Sequence, residues 1–247
     1  MGTKNFPFPK ILAWYEQNGR HDLPWRQIYD EPIIDRLYKV WIAEVMLQQT
    51  QVDRVIWFYN RFLEKYPTIE LLASTTYDEL FPYYQWLGYY GRARRMIELA
   101  KVIVEKYREI FPEDFEQLRK LPWIGQYTAQ ALLAFGYDKP VLAMDANLTK
   151  IFARYYFGNR YEVISEKIIK QLEQQLQKEN ISGRDINNAL MDFWALVSTT
   201  FDKVDKASYP LQDCLWFTTQ GTLESTKKKI IRRSEKWAKL IVFLHEA

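Results

Sequence analysis

Apolar residues recur at helical spacing along most of this 247-residue chain, whereas the alternating pattern of strands is scarce. Between Tyr38 and Tyr66 the spacing is typical of two amphipathic helices. The polar cluster Gln48-Gln49-Thr50 divides them, and Thr50 with Asp53 predicts a cap for the second helix. Thr76 and Glu79 predict a capping box. Further helices are predicted at 92–107, 114–120, 127–135, 146–157, 162–179 and 185–201. The pattern predicts an all-α fold, and only residues 237–244 have the character of a strand.

Composition limits the classes of protein to which the chain can belong. With 48% hydrophobic and 26% charged residues, it is typical of an ordered globular protein. Its single Cys excludes an intrachain disulfide framework and cannot supply the thiolates of a structural zinc or iron–sulfur site. No run approaches the roughly 18 apolar residues of a membrane span, and the N-terminus lacks the apolar stretch of a secretory signal.

Positive charge is concentrated at the C-terminal end. Residues 224–247 carry seven basic and three acidic side chains, a net charge of +4, whereas the remainder of the chain is near neutral at −1. A basic segment of this kind suits a phosphate backbone, although a solvated linker has the same composition.

Two carboxylates are candidates for acid–base chemistry. Glu44 lies one helical turn after Trp41 and about one turn before Leu47, on an apolar strip where desolvation would raise its pKa and make it a general acid. Asp145 follows the extended run 140–144 and begins a helix, which gives it a capping role in any case. A protonated acid and an ionised carboxylate are together what cleavage of a glycosidic bond requires. Spacing alone does not show that the two side chains meet.

The turn at 121–125 joins two helices into a hairpin. Such a turn exposes consecutive backbone N–H groups at a helix N-terminus, where a DNA phosphate can bind without a basic side chain. An ordinary helix connection has the same sequence features.

Two further segments contain side chains that suit contacts with bases. The amides of Gln48 and Gln49 can read base edges, and the segment 87–90 offers aromatic rings that could enter a base stack. The two His residues, His21 and His245, have no carboxylate or Cys at ligand spacing. The sequence therefore predicts neither a metal site nor a catalytic triad.

Taken together, five segments resemble the MutY-type adenine DNA glycosylases of the helix-hairpin-helix superfamily more than they resemble endonuclease III. These segments are Leu23–Arg26, Tyr38–Val52, Gly88–Arg94, the hairpin at 121–129 and Asp145–Asn147. They occur in the order of the family and cover roughly residues 10–215. The stretch Glu44–Val52 is the most specific, whereas the hairpin occurs throughout the superfamily.

The resemblance implies a two-lobed, all-α helix-hairpin-helix fold with the active site in the cleft between the lobes. It also implies removal of adenine mispaired with 8-oxoguanine or guanine. Residues 1–222 would form the catalytic region, with a six-helix lobe at about 30–136 and a second lobe from about 1–29 and 137–222. Residues 223–247 would be a basic linker or tail, or the beginning of the family's C-terminal 8-oxoguanine-recognition domain.

Individual roles follow from the same resemblance. Glu44 would protonate the flipped adenine, and Asp145 would stabilise or capture the sugar cation, with Tyr127 and Asn147 in support. Bifunctional relatives carry a Lys where this chain has Tyr127, so a monofunctional enzyme is expected. The implied adenine pocket comprises Trp25, Leu47, Gln48 and His21. The implied DNA contacts are Gln49, Thr50, Leu87, Gly88, Tyr89, Arg92, Trp123, Ile124, Gly125 and Gln126. Backbone carbonyls of Arg119, Leu121 and Ile124 would bind a monovalent cation, and no other metal or cofactor is expected.

The iron–sulfur cluster of the family is expected to be absent. Its four Cys ligands follow the helix that ends near Val197. Here Ser198, Asp205 and either Ser208 or Tyr209 stand at the first three positions, and only Cys214 remains. The loop 199–212 would then be held by packing, with Phe201, Tyr209 and Trp216 as candidates.

Two other departures concern access to DNA. Trp123 stands where the family usually has Gly, in a turn that favours positive φ, so strain or packing beside the DNA backbone is expected there. The segment Asp30–Arg36 is longer than the family pattern and could alter access to the pocket.

Two alternative functions fit the same residues. A related glycosylase could act on another base, such as thymine opposite guanine, although the pair Gln48-Gln49 favours adenine. A binding module without catalysis would explain the lost cluster and the altered hairpin, but nothing obliges a binder to keep both carboxylates. The expected partner is double-stranded DNA with A:8-oxoguanine or A:G mispairs. A bacterial-type monomer is expected in the cytoplasm, associated with the nucleoid when bound to DNA and without membrane contact.

Overall fold

The fold is built from helices. The computed structural model describes residues 4–87, 91–158, 160–198 and 209–211 and has no strand within these ranges. The helices are α1 (Phe8–Asn18), α2 (Ile33–Leu47), α3 (Val52–Lys65), α4 (Ile69–Ser74), α5 (Tyr77–Tyr84), α6 (Gly91–Tyr107), α7 (Phe115–Lys120), α8 (Gln126–Ala131), α9 (Ala146–Phe157), α10 (Glu166–Lys178) and α11 (Gly183–Leu196). A π-helical turn, Leu132–Gly136, continues α8. The predicted all-α class is confirmed, and no described helix is long and apolar enough to cross a membrane.

Side-chain caps fix where several helices begin. The capping box at α5 is confirmed, because Glu79 accepts the N–H of Thr76 at 2.9 Å and Thr76 accepts the N–H of Glu79 at 3.3 Å. The predicted cap of α3 is wrong. Gln51 is the N-cap of α3 and makes no side-chain capping bond, and the hydroxyl of Thr50 instead donates to the carbonyl of Gln48 at 3.4 Å. Gln49 has a positive φ of 58°, which turns the chain one residue before the expected cap.

Two hydrophobic cores divide the described residues. The first is enclosed by α2 to α8 and contains large buried aromatic side chains such as Trp41, Tyr59 and Phe111. The second is enclosed by α1, α9, α10 and α11 around Phe152 and Phe193. Because α1 packs against α11, the chain starts in the second core, crosses to the first and returns.

The turn at 23–28 packs in a different core from the one that the expected lobes imply. The expected second lobe included residues 1–29, but Leu23, Trp25 and Ile28 pack in the first core. One contact that holds this turn in the first core is the edge-on packing of Trp25 against Tyr59 of α3, with ring centroids 5.5 Å apart. The basic segment 223–247 lies outside the described residues.

A linker that is neither helix nor strand, residues 140–144, returns the chain from the first core to the second. Its side chains alternate between the two cores: Val141 and Ala143 contact the first, whereas Leu142 and Met144 contact the second. The linker therefore holds the cores side by side and leads directly into Asp145.

Candidate active site

A cavity of about 260 Å³ lies between the two cores. The carboxylates of Glu44 and Asp145 both line it, together with Tyr127 and Asn147. These four residues come from α2, α8 and the start of α9, and the fold brings them together although the sequence separates them widely. The cavity also has the apolar walls typical of a small-molecule site.

Glu44 is a buried acidic group of the cavity. It lies in the last turn of α2 among buried apolar residues, and only 8% of its surface is exposed. Burial raises its pKa from 4.5 to about 7, and the nearby charge of Asp145 adds to the rise, while a hydrogen bond with Tyr127 opposes it. A substantial fraction of the molecules therefore carries a proton on this carboxyl group at neutral pH.

Tyr127 stands at the start of α8 and reaches the carboxyl group of Glu44. Burial, followed by the charge of Glu44, raises the pKa of Tyr127 well above 10. The phenol therefore keeps its proton and acts as a hydrogen-bond donor to the acid.

Asp145 is the N-cap of α9, as predicted. One of its oxygens, Oδ1, accepts the backbone N–H groups of Asn147 and Leu148, both at 2.8 Å. These two bonds fix the carboxylate at the helix start, in the wall of the cavity. Asp145 therefore caps α9 and lines the cavity from the same position. Its structural role as a cap does not exclude a chemical role in the cavity.

The predicted pocket residues Trp25 and Leu47 line the cavity, and so does Thr50, which was expected at the DNA. The wall that α11 contributes includes Asn188, Met191 and Trp194, three residues that the sequence did not predict for the site. Their spacing of three residues puts them on one face of the helix. This spacing was the only feature of the sequence that could have indicated the wall. It was not distinctive, because a helix face with this spacing ordinarily packs in a hydrophobic core.

An ion-pair cluster closes one end of the cavity. Asp192 of α11 is fully buried and accepts from Arg26 Nη1 at 2.7 Å and from Arg20 Nη2 at 2.6 Å. Burial alone would raise the pKa of Asp192, but the hydrogen bonds and charges of Arg26 and Arg20 outweigh it and keep the pKa below its usual value. Because both arginines also line the cavity, the cluster ties the turn that carries Trp25 to the α11 wall.

Two predicted pocket residues lie elsewhere. His21 Nε2 hydrogen-bonds to the carbonyl of Tyr15 at 3.0 Å, and its ring lies on that of Tyr15, so it lines a separate cavity. Gln48 is exposed and lines a small groove beside Trp123. Neither side chain therefore lines the cavity that holds Glu44.

Two predicted DNA contacts are turned inward. Leu87 is 5% exposed and packs in the first core. The guanidinium of Arg92 donates to the carbonyls of Val45 and Gln48, both at 2.8 Å, and to that of Leu87 at 3.1 Å. Arg92 therefore stabilises the C-terminal end of α2 rather than presenting its charge to a ligand. Gly88 and Tyr89 lie outside the described residues.

The hairpin presents a mixed surface. Gly125 and Gln126 are exposed at the start of α8, as a phosphate contact would require, whereas Ile124 is buried. Trp123 is 54% exposed and has a positive φ of 66°, as its place in the turn predicts. Gln49, also predicted at the DNA, is exposed and has a positive φ as well.

Trp123 is held against α6 by two contacts. Its indole Nε1 donates to Glu98 at 2.8 Å, and the guanidinium of Arg95 lies 4.4 Å from the ring centroid.

Two of the three backbone carbonyls that are predicted to bind a monovalent cation already accept hydrogen bonds from protein donors. Leu121 accepts the N–H of Ile124 at 3.4 Å, and Ile124 accepts Arg119 Nη1 at 3.0 Å.

The first position of the expected cluster motif is fully buried. Arg154 Nη1 donates to the hydroxyl of Ser198 at 2.5 Å and to its carbonyl at 2.7 Å. Tyr209 packs in the second core against Phe193, with ring centroids 5.2 Å apart. Within the described ranges no three His, Cys, Asp or Glu side chains are grouped so that they could hold a metal ion. Asp205, Ser208, Cys214, Phe201 and Trp216 lie outside these ranges.

Comparison with known proteins places the chain among DNA repair proteins. Residues 42–179 match the family described as "HhH-GPD superfamily base excision DNA repair protein". The adenine DNA glycosylase of Buchnera aphidicola subsp. Schizaphis graminum is 33% identical over 96% of this chain and 67% of the relative. That of Buchnera aphidicola subsp. Baizongia pistaciae is 37% identical over 77% of this chain and 52% of the relative, and that of Homo sapiens is 37% identical over 76% and 35%. The chain thus spans between about one third and two thirds of these relatives.

Solved structures give the same fold. A thermostable thymine-DNA glycosylase is similar with a TM-score of 0.73 and 26% identity, over 85% of this chain and 94% of that chain. Endonuclease III in a non-covalent DNA complex has a TM-score of 0.63 and 19% identity, over 86% of this chain and 94% of that chain. The two-lobed arrangement with a cleft between the cores is therefore the arrangement of known glycosylases.

Proposed function

Because the chain belongs to the HhH-GPD superfamily of base excision DNA repair proteins, we propose that it is a monofunctional DNA glycosylase that excises adenine mispaired with 8-oxoguanine or guanine. One observation carries the proposal: a buried acid, Glu44, with a pKa of about 7, shares a cavity with a second carboxylate, Asp145. The resemblance to proteins named adenine DNA glycosylase supports adenine as the base.

The reaction breaks the bond between the sugar C1′ and the base. The target nucleotide leaves the duplex stack and places its base in the cavity. Glu44 donates its proton to the departing adenine, which takes the bonding electron pair with it. The oxocarbenium-like sugar is stabilised or captured by the Asp145 carboxylate, and water then adds its oxygen to C1′ and releases a proton. The products are free adenine and an abasic site.

Tyr127 and the absence of an amine at its position support a monofunctional reaction. A lyase step needs a lysine amine that forms a Schiff base with the sugar. At this place the chain carries a phenol that hydrogen-bonds to Glu44. Its role in the proposal is to orient the acid and to lower the pKa that burial raises.

A second candidate reaction is the removal of thymine opposite guanine. The similarity to a thymine-DNA glycosylase structure at a TM-score of 0.73 favours it. The two reactions differ in the shape and hydrogen-bonding of the base that fits between Trp25 and the α11 wall, and they are separated by the choice of duplex.

We also propose that the chain folds without an iron–sulfur cluster. The family motif implies a thiolate at position 198, but the residue there is a serine whose hydroxyl is engaged by a buried arginine, Arg154. A hydroxyl is not a cluster ligand of the usual kind, and here it already accepts a hydrogen bond from Arg154. Purified protein is expected to contain less than one tenth of an iron atom per chain by metal analysis; stoichiometric iron would contradict the proposal.

Single-turnover base release tests the proposed activity. Four matched duplexes carry A opposite 8-oxoguanine, A opposite G, A opposite C, and T opposite G, and excess enzyme is used as wild type and as Glu44→Gln. Adenine release from the first two duplexes that disappears in Glu44→Gln is the expected result. Duplex binding by the variant should persist and weaken with salt, because phosphate contacts release counterions.

The other outcomes of this experiment decide between the alternatives. Release of thymine alone would replace adenine by thymine as the substrate. Release of adenine by Glu44→Gln at the wild-type rate would refute Glu44 as the acid. Binding without release from any duplex by the wild type would make the chain a mismatch-binding module.

A further inference from the structure

The linker that carries Asp145 into the cavity is fixed by side chains rather than by regular backbone pairing. Its residues 141–144 lie between the two cores and are in neither a helix nor a sheet, so their backbone groups need other partners. Three helices supply these partners. Glu173 of α10 accepts the N–H of Leu142 at 3.0 Å, and Gln130 of α8 accepts that of Met144 at 3.3 Å, a group shared with the carbonyl of Leu142.

The central partner is Asn187 of α11, which is fully buried. Its Oδ1 accepts the N–H of Ala143 at 2.8 Å, and its Nδ2 donates to the carbonyl of Val141 at 2.8 Å. The second Nδ2 hydrogen is donated to the carbonyl of Gly183 at 2.7 Å. The amide thus pairs with the linker as a neighbouring strand would, and both of its N–H groups and its oxygen are used.

Asn187 itself is not in the wall of the cavity, unlike its neighbour Asn188. It acts on the backbone two residues before Asp145. From there the chain enters α9, where Asp145 accepts the N–H groups of Asn147 and Leu148. We infer that Asn187 is a positioning residue: by fixing the linker at Val141 and Ala143, it sets where the Asp145 carboxylate lies relative to the sugar.

The expected effect of Asn187 on base release rests on the proposed glycosylase function. Its expected effect on the position of Asp145 rests on geometry alone. A carboxylate that must stabilise a sugar cation works only within a narrow range of positions, and displacement by about 1 Å can lower a rate by about a hundredfold. Linker bonds from α8, α10 and α11 provide this constraint. Removal of the central amide leaves the N–H of Ala143 and the carbonyl of Val141 without their buried partner, so the linker must shift.

The test compares Asn187→Ala with a matched control, Tyr38→Phe. The control removes another buried hydrogen bond, from the Tyr38 hydroxyl to the carbonyl of Tyr66 at 2.7 Å, which involves no residue of the linker. Both variants are studied at a temperature at which circular dichroism shows them folded. Base release is measured in single turnover on the A:8-oxoguanine duplex, and duplex affinity is measured separately.

Asn187→Ala is expected to lower the rate of base release by about tenfold to a hundredfold and to change the duplex dissociation constant by less than about threefold. Tyr38→Phe is expected to leave both within about twofold of the wild type. Gln130→Met removes a second linker bond from a different helix and should lower the rate in the same direction by a smaller factor. An unchanged rate in Asn187→Ala, or an equal fall in Tyr38→Phe, would overturn the inference.

Amide hydrogen exchange provides a readout that does not depend on activity. The N–H groups of Asn147 and Leu148 report whether Asp145 still caps α9. Their exchange should be at least about tenfold faster in Asn187→Ala and unchanged in Tyr38→Phe. If the wild type releases no base, the proposed function fails and the exchange data alone decide the inference. Unchanged protection of both amides would refute it whatever the activity.

Discussion

The phenol of Tyr127 hydrogen-bonds to the buried carboxyl group of Glu44 and thereby joins the helix after the hairpin to α2. Two opposing influences meet at this carboxyl group. Burial, the larger, raises its pKa, and the bond from Tyr127 lowers it, so that the pKa is about 7. Near pH 7, comparable fractions of the molecules therefore carry Glu44 in its protonated and in its ionised form.

This balance predicts how base release depends on pH. The protonated form of Glu44 is the active one in the proposed reaction, so the single-turnover rate should fall by about tenfold for each pH unit above 7. Measurement on the A:8-oxoguanine duplex between pH 5.5 and 9.5 would show it, with duplex binding followed in parallel at each pH. A rate that stays constant up to pH 9 would contradict the assignment of Glu44 as the acid.

Tyr127→Phe should move that pH profile. The hydrogen bond lowers the pKa of Glu44, so its loss leaves burial and the charge of Asp145 to raise the pKa further. The fall in rate should then begin at a higher pH than in the wild type, by about half a unit or more. The comparison uses the ratio of rates at pH 6 and pH 9 in the two proteins; identical ratios would show that the phenol does not tune the acid.

The raised pKa of Glu44 also has a consequence for stability. The folded protein binds the proton of this group up to about pH 7, whereas the unfolded chain loses it near 4.5. The free energy of unfolding should therefore decline between these values and stay lower above pH 7. Glu44→Gln removes the ionisable group while preserving its shape, and it should be more stable than the wild type by about 2 to 3 kcal/mol at pH 8, with little difference at pH 4.5.

Urea denaturation at the two pH values measures this difference. Glu98→Gln is a suitable control, because Glu98 lies on the surface of α6 and its carboxylate contacts the indole of Trp123. At pH 8 Glu98→Gln should not be more stable than the wild type, because the exposed Glu98 carries no burial penalty that an amide would relieve. A Glu44→Gln protein that is less stable than the wild type at pH 8 would show that burial does not penalise the carboxylate.

The sequence was most informative where one residue has a local structural reason for its position. Glu44 among the buried apolar residues of α2 and Asp145 at the N-cap of α9 are both found as predicted. Their meeting in one cavity could not be read from spacing, because it depends on how α2, α8 and α9 pack. The resemblance implied it, and the fold brings it about through the linker at 140–144.

Side-chain direction was the feature that the sequence predicted least well. His21, Gln48, Leu87 and Arg92 lie in the segments that carry the resemblance, yet their side chains contact neighbouring backbone, a groove or the core. The α11 wall was missed for the converse reason. Its residues belong to no motif. Which face of α11 lines a cavity depends on how α11 packs beside the first core, and the sequence of the helix alone does not give this packing.

The cluster of Asp192 with two arginines should be essential to stability. Asp192→Ala would leave Arg26 buried without its counter-charge, and loss of one partner of a buried ion pair costs about 3 to 5 kcal/mol. The pair of Lys39 with Glu31 is partly exposed, so Glu31→Ala should cost about 1 kcal/mol or less. Denaturation of both variants at pH 7 measures the contrast; equal losses would mean that the Asp192 cluster is not held out of water.

Trp123 offers a way to separate backbone strain from side-chain contacts. Trp123→Gly and Trp123→Ala both remove the bond to Glu98 and the contact with Arg95. Only glycine adopts the φ of 66° without steric cost, so the Gly variant should be more stable than the Ala variant by about 1 kcal/mol. Chemical denaturation of the pair gives this difference directly, because the lost contacts cancel. Equal stability of the two variants would show that the turn relaxes to a negative φ once the indole is gone, and that the contacts with Glu98 and Arg95 are what hold the strained backbone.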